Sequence, residues 1–305
     1  MSYSEPTTKE WIRSLFEPGQ LLFWAMTYYV RENVDAVFRR GQVLAPLLQT
    51  TKLRDEAFGK FWVAFSTTPS DEPGPQQSLL ENRVQGSSDL IPPILARAEG
   101  IVLDVGPGTG TQMPLLVSPN IKAIYGAEPC HGLHAELRAK VEAEGLAKKY
   151  TILPCSVVAS DLIPAMQKEG LLINHNAGGG VFDTIICVRV LCSVPDMNRT
   201  IRELYTLLRP GGKLLVTEHV VNPWMTPKGS IVARLFQATY GFLGWSWYLG
   251  DCCMNRDTET ALKKAADRDG GWESVELDRW FGGSPLPYIS GVLTKKGTPF
   301  GPWDM

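Results

Sequence analysis

The sequence lacks the features by which several classes of protein are identified. It has no run of basic residues longer than a pair, and its formal net charge is -2 with a pI near 6.1. This charge does not attract nucleic acid in general, so no nucleic-acid partner is expected. The first residues do not form a basic stretch followed by an apolar core, so we expect no secretory signal. The most apolar run, residues 21–30, is about half as long as a bilayer requires, and no integral membrane span is expected.

Cysteine is also scarce. The 305 residues include six cysteines, which are scattered except for the adjacent Cys252 and Cys253. In a chain of this size, that usage favours reduced thiols and a cytoplasmic location, with peripheral contact with a membrane left open. Cys130, His131 and His134 lie close together in sequence, but no companion cysteine pair accompanies them. We therefore expect no metal site.

A turn with three alternate glycines is the most informative stretch of the chain. Residues 102–110 read VLDVGPGTG, an apolar strand that runs into Gly106, Gly108 and Gly110. Glycine at these positions lets the backbone approach a ligand closely, because no Cβ intervenes. Thr111 occupies the position where a dinucleotide fingerprint needs glycine or alanine, and no Gly-Lys-Ser/Thr follows as in a Walker A loop. The turn resembles the nucleoside loop of class I S-adenosylmethionine-dependent methyltransferases.

An acid follows this turn at the distance expected for ribose binding. Glu128 lies 18 residues beyond Gly110, at the end of the next apolar run. In nucleoside-binding α/β sheets, an acid about twenty residues past the glycine loop accepts hydrogen bonds from ribose hydroxyls. The alternative is a solvated carboxylate at a strand end.

Strand-like and helix-like segments alternate from residue 100 onward. This pattern predicts an α/β fold, a Rossmann-like and mostly parallel seven-stranded sheet with helices on both faces. Two regions lie outside the alternation: residues 1–98, an N-terminal helical extension or lid, and an aromatic insertion at about 222–250 within the 99–305 domain. The predicted strands are 101–105, 121–127, 150–153, 181–190 and 213–220, with a closing hairpin of 272–280 and 286–295. The predicted helices and loop are 111–117, 131–145, 162–167 and 201–208, with a glycine-rich loop at 174–180.

Four motifs make a resemblance to one family specific. They are residues 190–194 (VLCSV), 208–214 (LRPGGKL), 218–220 (EHV), and 250–253 (GDCC) followed by RDT at 256–258. Together they resemble the methyltransferase-like protein 7 family over roughly residues 100–297. The resemblance implies an alkyl thiol S-methyltransferase that uses S-adenosyl-L-methionine and releases S-adenosyl-L-homocysteine.

This chain departs from the family pattern in two places. The family is anchored to membranes by an N-terminal apolar helix, whereas this chain has only the short run at 21–30. Many class I enzymes also place an acid after the third strand to hold the adenine amine. Here residues 156–158 read SVV, so that contact would pass to backbone groups or to Asp161.

The expected site lies where the carboxyl ends of strands one, two, four and five converge, at the switch point in strand order. His219 ends the fifth strand and is the candidate general base, because its pKa suits proton removal near neutrality. A buried structural histidine is the alternative. Asp251 is a second catalytic candidate through the family match, with helix capping as its alternative. The expected cofactor-binding residues are Asp104, Gly106, Gly108, Gly110, Glu128, Ser156, Val157, Arg189 and Val190.

The aromatic residues of the insertion are interpreted as a cap over an apolar acceptor, with ordinary core packing as the alternative. Methyl transfer from a sulfonium needs no enzyme nucleophile, so Cys192, Cys252 and Cys253 are expected to pack. The expected substrate pocket consists of Trp24, Tyr28, Cys192, Tyr240, Trp245 and Trp247.

The function predicted from these features is methyl transfer to a thiol or hydroxyl of a hydrophobic small molecule. Transfer to carbon or nitrogen stays open. So do a non-methylating rearrangement on the same fold and a regulatory protein that binds the cofactor without turnover. The acceptor's identity and the oligomeric state are left open as well.

Overall fold

One twisted sheet organises the chain in the computed structural model, which describes residues 6–67, 84–172 and 179–297. Seven strands of the described residues pair in the order β3-β2-β1-β4-β5-β7-β6. The first five strands run parallel, and β7 pairs antiparallel with both β5 and β6. The strands are β1 (Gly100–Val105), β2 (Ile121–Ala127), β3 (Tyr150–Leu153), β4 (Phe182–Val188), β5 (Leu208–His219), β6 (Ser274–Trp280) and β7 (Tyr288–Thr294). This architecture confirms the predicted fold class.

Helices cover the sheet and form most of the N-terminal extension. The α-helices of the described residues are α1 (Thr8–Phe38), α2 (Ala45–Leu48), α3 (Thr50–Thr67), α4 (Pro92–Leu95), α5 (His134–Ala143), α6 (Ala159–Lys168), α7 (Met197–Leu207), α8 (Ile231–Phe242), α9 (Trp245–Tyr248) and α10 (Thr258–Lys264). Short 3-10 turns lie at Ser87–Leu90, Met113–Leu115, His131–Leu133 and Asp267–Asp269.

The central strands are buried on both faces, as their unbroken apolar runs predict. Successive side chains of a strand point to opposite faces. Leu103 therefore packs in one core with Ile185, while the adjacent Val102 packs in the other with Ile124. Each such side chain, fully removed from water, contributes about 1.5–3 kcal/mol. In this buried centre β1 pairs with β4, and the strand order reverses between them.

One predicted element is wrong in the structure, and another begins at a different residue. Residues 111–117 form only the 3-10 turn Met113–Leu115, because Pro114 removes a backbone donor within the segment. Strand β5 begins at Leu208, five residues before the predicted 213. The register between β4 and β5 shifts there, so that the Pro-Gly-Gly segment becomes an irregularity inside the strand. Of the predicted loop at 174–180, residues 174–178 lie outside the described residues.

The N-terminal extension is joined to the aromatic insertion by a third apolar cluster. Leu22 of α1 and Phe61 of α3 pack in it with Tyr240 and Trp245 from α8 and α9. The Tyr240 hydroxyl also donates a hydrogen bond to the Leu15 carbonyl at 2.8 Å. Within the described residues, none of the helices combines the length and the hydropathy needed to cross a membrane.

Candidate active site

The glycine turn after β1 forms the floor of the site. Gly106, Gly108 and Gly110 have φ values of 59°, 61° and 79°, a left-handed conformation that favours glycine. A Cβ on Gly106 would lie 2.5 Å from Cγ2 of Val190, in the loop after β4. The turn therefore needs glycine both for its backbone conformation and for its contact with the neighbouring strand end.

Glu128 connects this turn to the end of β2. Its carboxylate accepts hydrogen bonds from the Gly108 amide at 2.9 Å and from the Cys130 amide at 2.8 Å. Burial raises the pKa of Glu128, and the two amide hydrogen bonds oppose that rise. Each carboxylate oxygen can accept a second hydrogen bond, so the group remains able to accept from ribose hydroxyls.

Helix α3 covers the glycine turn. The Trp62 indole nitrogen lies 3.0 Å from the position of a Cβ on Gly108. Further along the helix, the hydroxyls of Ser66 and Thr109 lie 3.0 Å apart in a hydrogen bond. Part of the N-terminal extension therefore contacts the predicted cofactor loop directly.

Asp104 lies inside β1, where its carboxylate has a specific partner. The Tyr150 hydroxyl donates to Asp104 Oδ2 at 2.9 Å. The Tyr150 ring passes over Gly126, whose Cβ would lie 2.2 Å from the Tyr150 hydroxyl oxygen. Burial raises the pKa of Asp104 to about 6, with the nearby Glu128 charge adding to the rise and the Tyr150 hydrogen bond opposing it.

The two predicted cofactor residues after β3 have different surroundings. The Val157 side chain is buried and packs in the core beneath the sheet edge. The Ser156 hydroxyl accepts a hydrogen bond from the Val158 amide at 3.2 Å. Side-chain contact with a cofactor therefore remains a prediction for Ser156 and Val157.

The loop after β4 is held by a carboxylate at the end of β5. Glu218 Oε1 accepts hydrogen bonds from the backbone amides of Val190 at 2.8 Å and Leu191 at 2.9 Å. Burial raises the pKa of Glu218 to about 7, while these amides oppose the rise. Arg189 adopts a left-handed φ of 56° and donates hydrogen bonds to the hydroxyls of Ser87 and Ser88.

Three side chains with sulfur or imidazole groups meet beside this loop. Cys192, His219 and Cys252, called here the sulfur–imidazole cluster, place their Sγ atoms and a ring nitrogen within 4.8 Å of one another. His219 Nε2 lies 3.1 Å from Cys252 Sγ. His219 Nδ1 is buried and has no hydrogen-bond partner among the described residues. Hydrogen bonding with Cys252 and burial raise the pKa of Cys192 well above its usual value.

Asp251, the second catalytic candidate, has a different partner. Its carboxylate pairs with the Arg54 guanidinium at 2.9 Å, and its side chain is 61% exposed. Arg54 also lies over the Trp247 ring, 5.1 Å from its centroid. Catalytic action by Asp251 and acceptor binding by Trp247 remain predictions.

The other predicted pocket aromatics pack mainly against one another. Trp24 and Tyr28 lie edge-on to Phe61, each at 6.0 Å between ring centroids. Tyr240 and Trp245 are buried, and their ring centroids are 6.4 Å apart. Trp245 also reaches the sulfur–imidazole cluster, where its indole N–H donates to Cys252 Sγ at 3.2 Å.

A cleft of about 380 Å³ leads to the outer side of that cluster. Its lining includes Trp245, Cys252, Arg234 and Phe242. This volume falls within the range of small-molecule sites, about 300–1,000 Å³. Cys252 therefore belongs both to the cleft and to the cluster that His219 and Cys192 complete.

Comparison with known proteins decides the family. A profile described as a methyltransferase domain matches residues 79–277. The chain belongs to this family. The methyl donor of the family is S-adenosyl-L-methionine, so the expected cofactor is confirmed at that level, and the chain is classed with S-adenosylmethionine-dependent methyltransferases.

Individual relatives agree with this assignment. Human thiol S-methyltransferase TMT1B is 34% identical over 89 residues, which cover 28% of this chain and 33% of the relative. Human thiol S-methyltransferase TMT1A is 30% identical over 92 residues, 30% of this chain and 35% of the relative. The matched segment thus spans about a third of the length of these relatives. The predicted similarity to thiol S-methyltransferases is confirmed.

Among solved structures, an O-methyltransferase family protein from Burkholderia thailandensis has 12% identity and a TM-score of 0.49, covering 93% of this chain and 72% of that chain.

The residues of this methyltransferase domain fit the cofactor. Gly106 and Gly108 lie at the switch point in strand order, where such sheets bind nucleosides. Glu128 places a buried carboxylate beside them. These are the groups that would hold the ribose end of S-adenosyl-L-methionine.

Two contributors to the site were not identified from the sequence. Trp62 covers the glycine turn, and the i, i+3, i+4, i+7 spacing of Phe58, Phe61, Trp62 and Phe65 could have indicated an aromatic helix face there. Arg256 donates hydrogen bonds to the carbonyls of residues 191 and 194, at 2.7 and 2.6 Å. No local sequence signal indicates that Arg256 binds these two carbonyls.

The raised pKa of Asp104 leads to a test of stability against pH. In the unfolded chain an aspartate titrates near pH 3.9, whereas the folded pKa is about 6. The folded state therefore binds this proton more tightly, and the resulting stabilisation is present below about pH 4 and is lost as pH rises to about 6. Asp104→Asn should remove this dependence, on the order of 2–3 kcal/mol in the free energy of unfolding.

Urea denaturation of both proteins between about pH 4 and 7.5 measures that difference. Asp278→Asn, at an exposed position on β6, is the matched control and should follow the original protein. Parallel stability curves for Asp104→Asn and the original protein would contradict the assignment.

Proposed function

We propose that the protein transfers a methyl group from S-adenosyl-L-methionine to the thiol of a hydrophobic small molecule. The sulfur–imidazole cluster at the end of the cleft is the observation that carries this proposal. It lies one loop away from the cofactor turn, since Val190 contacts Gly106 and Cys192 follows two residues later. A hydroxyl acceptor, which the sequence equally allowed, has less support because the cluster contains two thiols and one imidazole.

The site has a cofactor side and an acceptor side, which different residues form. When bound, the cofactor supplies an electrophilic methyl group on a sulfonium. Glu128, beside the backbone of the glycine turn, holds and orients its ribose end. No strong charge is needed near the methyl group, because the reaction neutralises charge, and a dry pocket favours it. Alignment of donor and acceptor then supplies much of the rate, up to roughly 7–11 kcal/mol in good cases.

The acceptor side must remove a proton from the thiol. His219 ends β5, and its ring contacts Cys252, which lines the cleft. The cleft walls supplied by Trp245 and Phe242 suit an apolar acceptor. We therefore place the acceptor in the cleft, with its sulfur toward His219.

The N-terminal extension acts in this proposal as a lid over the cofactor. Trp62 and Ser66 contact the glycine turn from α3. Their helix also belongs to the aromatic cluster that includes Trp245. Helix α3 therefore links the closure of the N-terminal extension over the cofactor to the shape of the acceptor side.

Gly108→Val tests the cofactor side. The new side chain would meet the Trp62 indole at a left-handed backbone position and distort the turn, so binding of S-adenosyl-L-homocysteine should fall on the order of a hundredfold in calorimetry. Gly145→Val is the matched control, since Gly145 has a similar φ of 67° and no atom within 4 Å of a Cβ. Equal affinity in Gly108→Val and in the control would contradict the cofactor assignment.

Incubation with panels of thiols and phenols tests the reaction. Hydrophobic thiols should yield S-adenosyl-L-homocysteine and the methyl thioether, detected by mass spectrometry, with phenols slower. His219→Ala should lower turnover on the order of a hundredfold, because proton removal is lost, and change cofactor affinity less than threefold. Cofactor binding without this product from any acceptor would instead support the regulatory alternative. Unchanged turnover in His219→Ala would make His219 structural.

We also propose peripheral contact with a lipid surface through α8. Ile231, Leu235 and Phe242 leave 62%, 63% and 90% of their surfaces exposed and form its apolar face. Phe242 also lines the cleft. A hydrophobic thiol dissolved in lipid would therefore meet the entrance without crossing water.

Co-sedimentation with phosphatidylcholine vesicles tests this contact. The original protein should sediment with the vesicles, and Leu235→Glu should reduce the bound fraction at least fivefold, because a carboxylate resists transfer from water. Val117→Glu changes a residue of similar exposure, 62%, outside this face and should bind like the original protein. Absence of sedimentation for the original protein would contradict the proposal.

A further inference from the structure

The sulfur–imidazole cluster has a composition that a hydrophobic pocket does not require. We propose that Cys192, His219 and Cys252 bind a zinc ion, whose fourth coordination position takes the sulfur of the acceptor thiol. The inference rests on the proposed function and changes one role in it: His219 binds the ion, and the ion activates the thiol in place of a general base. No metal site is predicted from the sequence, in which the three residues lie 27 and 33 positions apart.

The dimensions of the cluster suit this ion. Zinc binds cysteine sulfur at about 2.3 Å and histidine nitrogen at about 2.0–2.1 Å. In a tetrahedral site these lengths place ligand atoms roughly 3.3–3.8 Å from one another. Cys252 Sγ and His219 Nε2 are 3.1 Å apart, and no two ligand atoms of the cluster are farther apart than 4.8 Å. Shifts of about an ångström would complete the geometry.

The ligand set also suits zinc chemically. Thiolate and imidazole are ligands that zinc prefers. Sites with three protein ligands that leave one position open are the catalytic type, and two cysteines with one histidine form one such set. Two thiolates neutralise the charge of the ion. A neutral centre can therefore lie where Cys192 and His219 are only 2% and 5% exposed.

The three ligands are held in place by contacts that do not involve the ion. Glu218 fixes the loop before Cys192 through two backbone amides. The amide of Cys253 donates to the carbonyl of Cys192 at 2.9 Å, which holds the segment of Cys252 against that loop. His219 is paired in register with Tyr288 at the end of β5. A site built from these elements would be largely preformed.

Cys252 also has the surroundings expected of a metal ligand. The Trp245 indole N–H donates to its sulfur at 3.2 Å, as outer hydrogen bonds do to ligands in metal sites. The cleft of about 380 Å³ reaches the same sulfur from outside. An ion and an acceptor therefore share one route to the cluster.

The proposed step balances as follows. The acceptor thiol loses its proton to solvent as its sulfur binds zinc as a thiolate, because the ion favours the deprotonated form. The acceptor sulfur then attacks the methyl carbon and forms an S–CH3 bond. The bond between that carbon and the sulfonium sulfur breaks, and its electron pair stays on the sulfur of S-adenosyl-L-homocysteine. The neutral thioether is a poorer ligand than the thiolate and leaves, which reopens the fourth position.

Metal binding to the purified full chain tests the site. After chelation, titration with zinc followed by elemental analysis should give one equivalent per chain. Titration with cobalt(II) should give the thiolate-to-cobalt absorption of a tetrahedral site. Cys192→Ser and Cys252→Ser should each weaken metal affinity at least tenfold. Cys253→Ser is the matched control, because the Cys253 sulfur lies 3.7 Å from Arg256 rather than in the cluster.

The acceptor position is tested on the cobalt form. Addition of a hydrophobic thiol should shift the cobalt absorption, whereas the matching thioether should not. An original protein that binds no metal at equimolar cobalt, or equal binding in Cys252→Ser and Cys253→Ser, overturns the site. If thiols are still methylated in that case, the proposed function stands without the metal. If cobalt binds but no thiol shifts its absorption, the proposal that the acceptor sulfur takes the fourth coordination position is wrong.

Discussion

A buried carboxylate at the end of β5 is the constraint on which the rest of the site depends. Glu218 is fully buried and holds two consecutive amides of the loop after β4. Without it, those amides would lack partners in the protein interior, at a cost of about 1–3 kcal/mol each. The loop is thereby aligned so that Val190 faces the cofactor turn, while Cys192 lies beside His219.

The N-terminal extension contacts the glycine turn through helix α3. Trp62 approaches Gly108, and Ser66 bonds to the hydroxyl of Thr109. The extension is anchored elsewhere through the hydrogen bond from Tyr240 to the carbonyl of Leu15. A helix that touches the cofactor turn is thus joined to the segment that carries Trp245. Movement of one requires adjustment of the other, because packed apolar interfaces do not deform continuously.

Much of the fold could be predicted from the sequence, because local patterns determine it. The bounds of β2 and β3 match the prediction at 121–127 and 150–153, since each is an apolar run with clear turn signals at its ends. The segment at 111–117 could not be predicted in the same way. Its apolar residues suggest a helix, but Pro114 and the packing of Met113 in the core stop it after one turn.

The site was predictable on the cofactor side and only partly on the acceptor side, for a physical reason. The cofactor turn is contiguous, and its glycines are required by the backbone itself. The acceptor side joins residues from the loop after β4, the end of β5 and the segment after α9, whose distances depend on tertiary packing. Cys192 and Cys252 are predicted to pack only because methyl transfer from a sulfonium needs no enzyme nucleophile. Both do pack, yet they do so around His219.

The two sides of the site also differ in chemistry, and this difference bears on the acceptor. The cofactor side offers hard oxygen and backbone groups, as a ribose requires. The acceptor side offers two sulfurs, an imidazole and aromatic rings, which bind soft and apolar groups better than hydroxyls. A phenol would place a hard oxygen in these surroundings, where soft groups would match the charge of that oxygen poorly. A thiol would contact soft and apolar groups there. The difference between the two sides of the site therefore favours sulfur over oxygen as the atom that receives the methyl group.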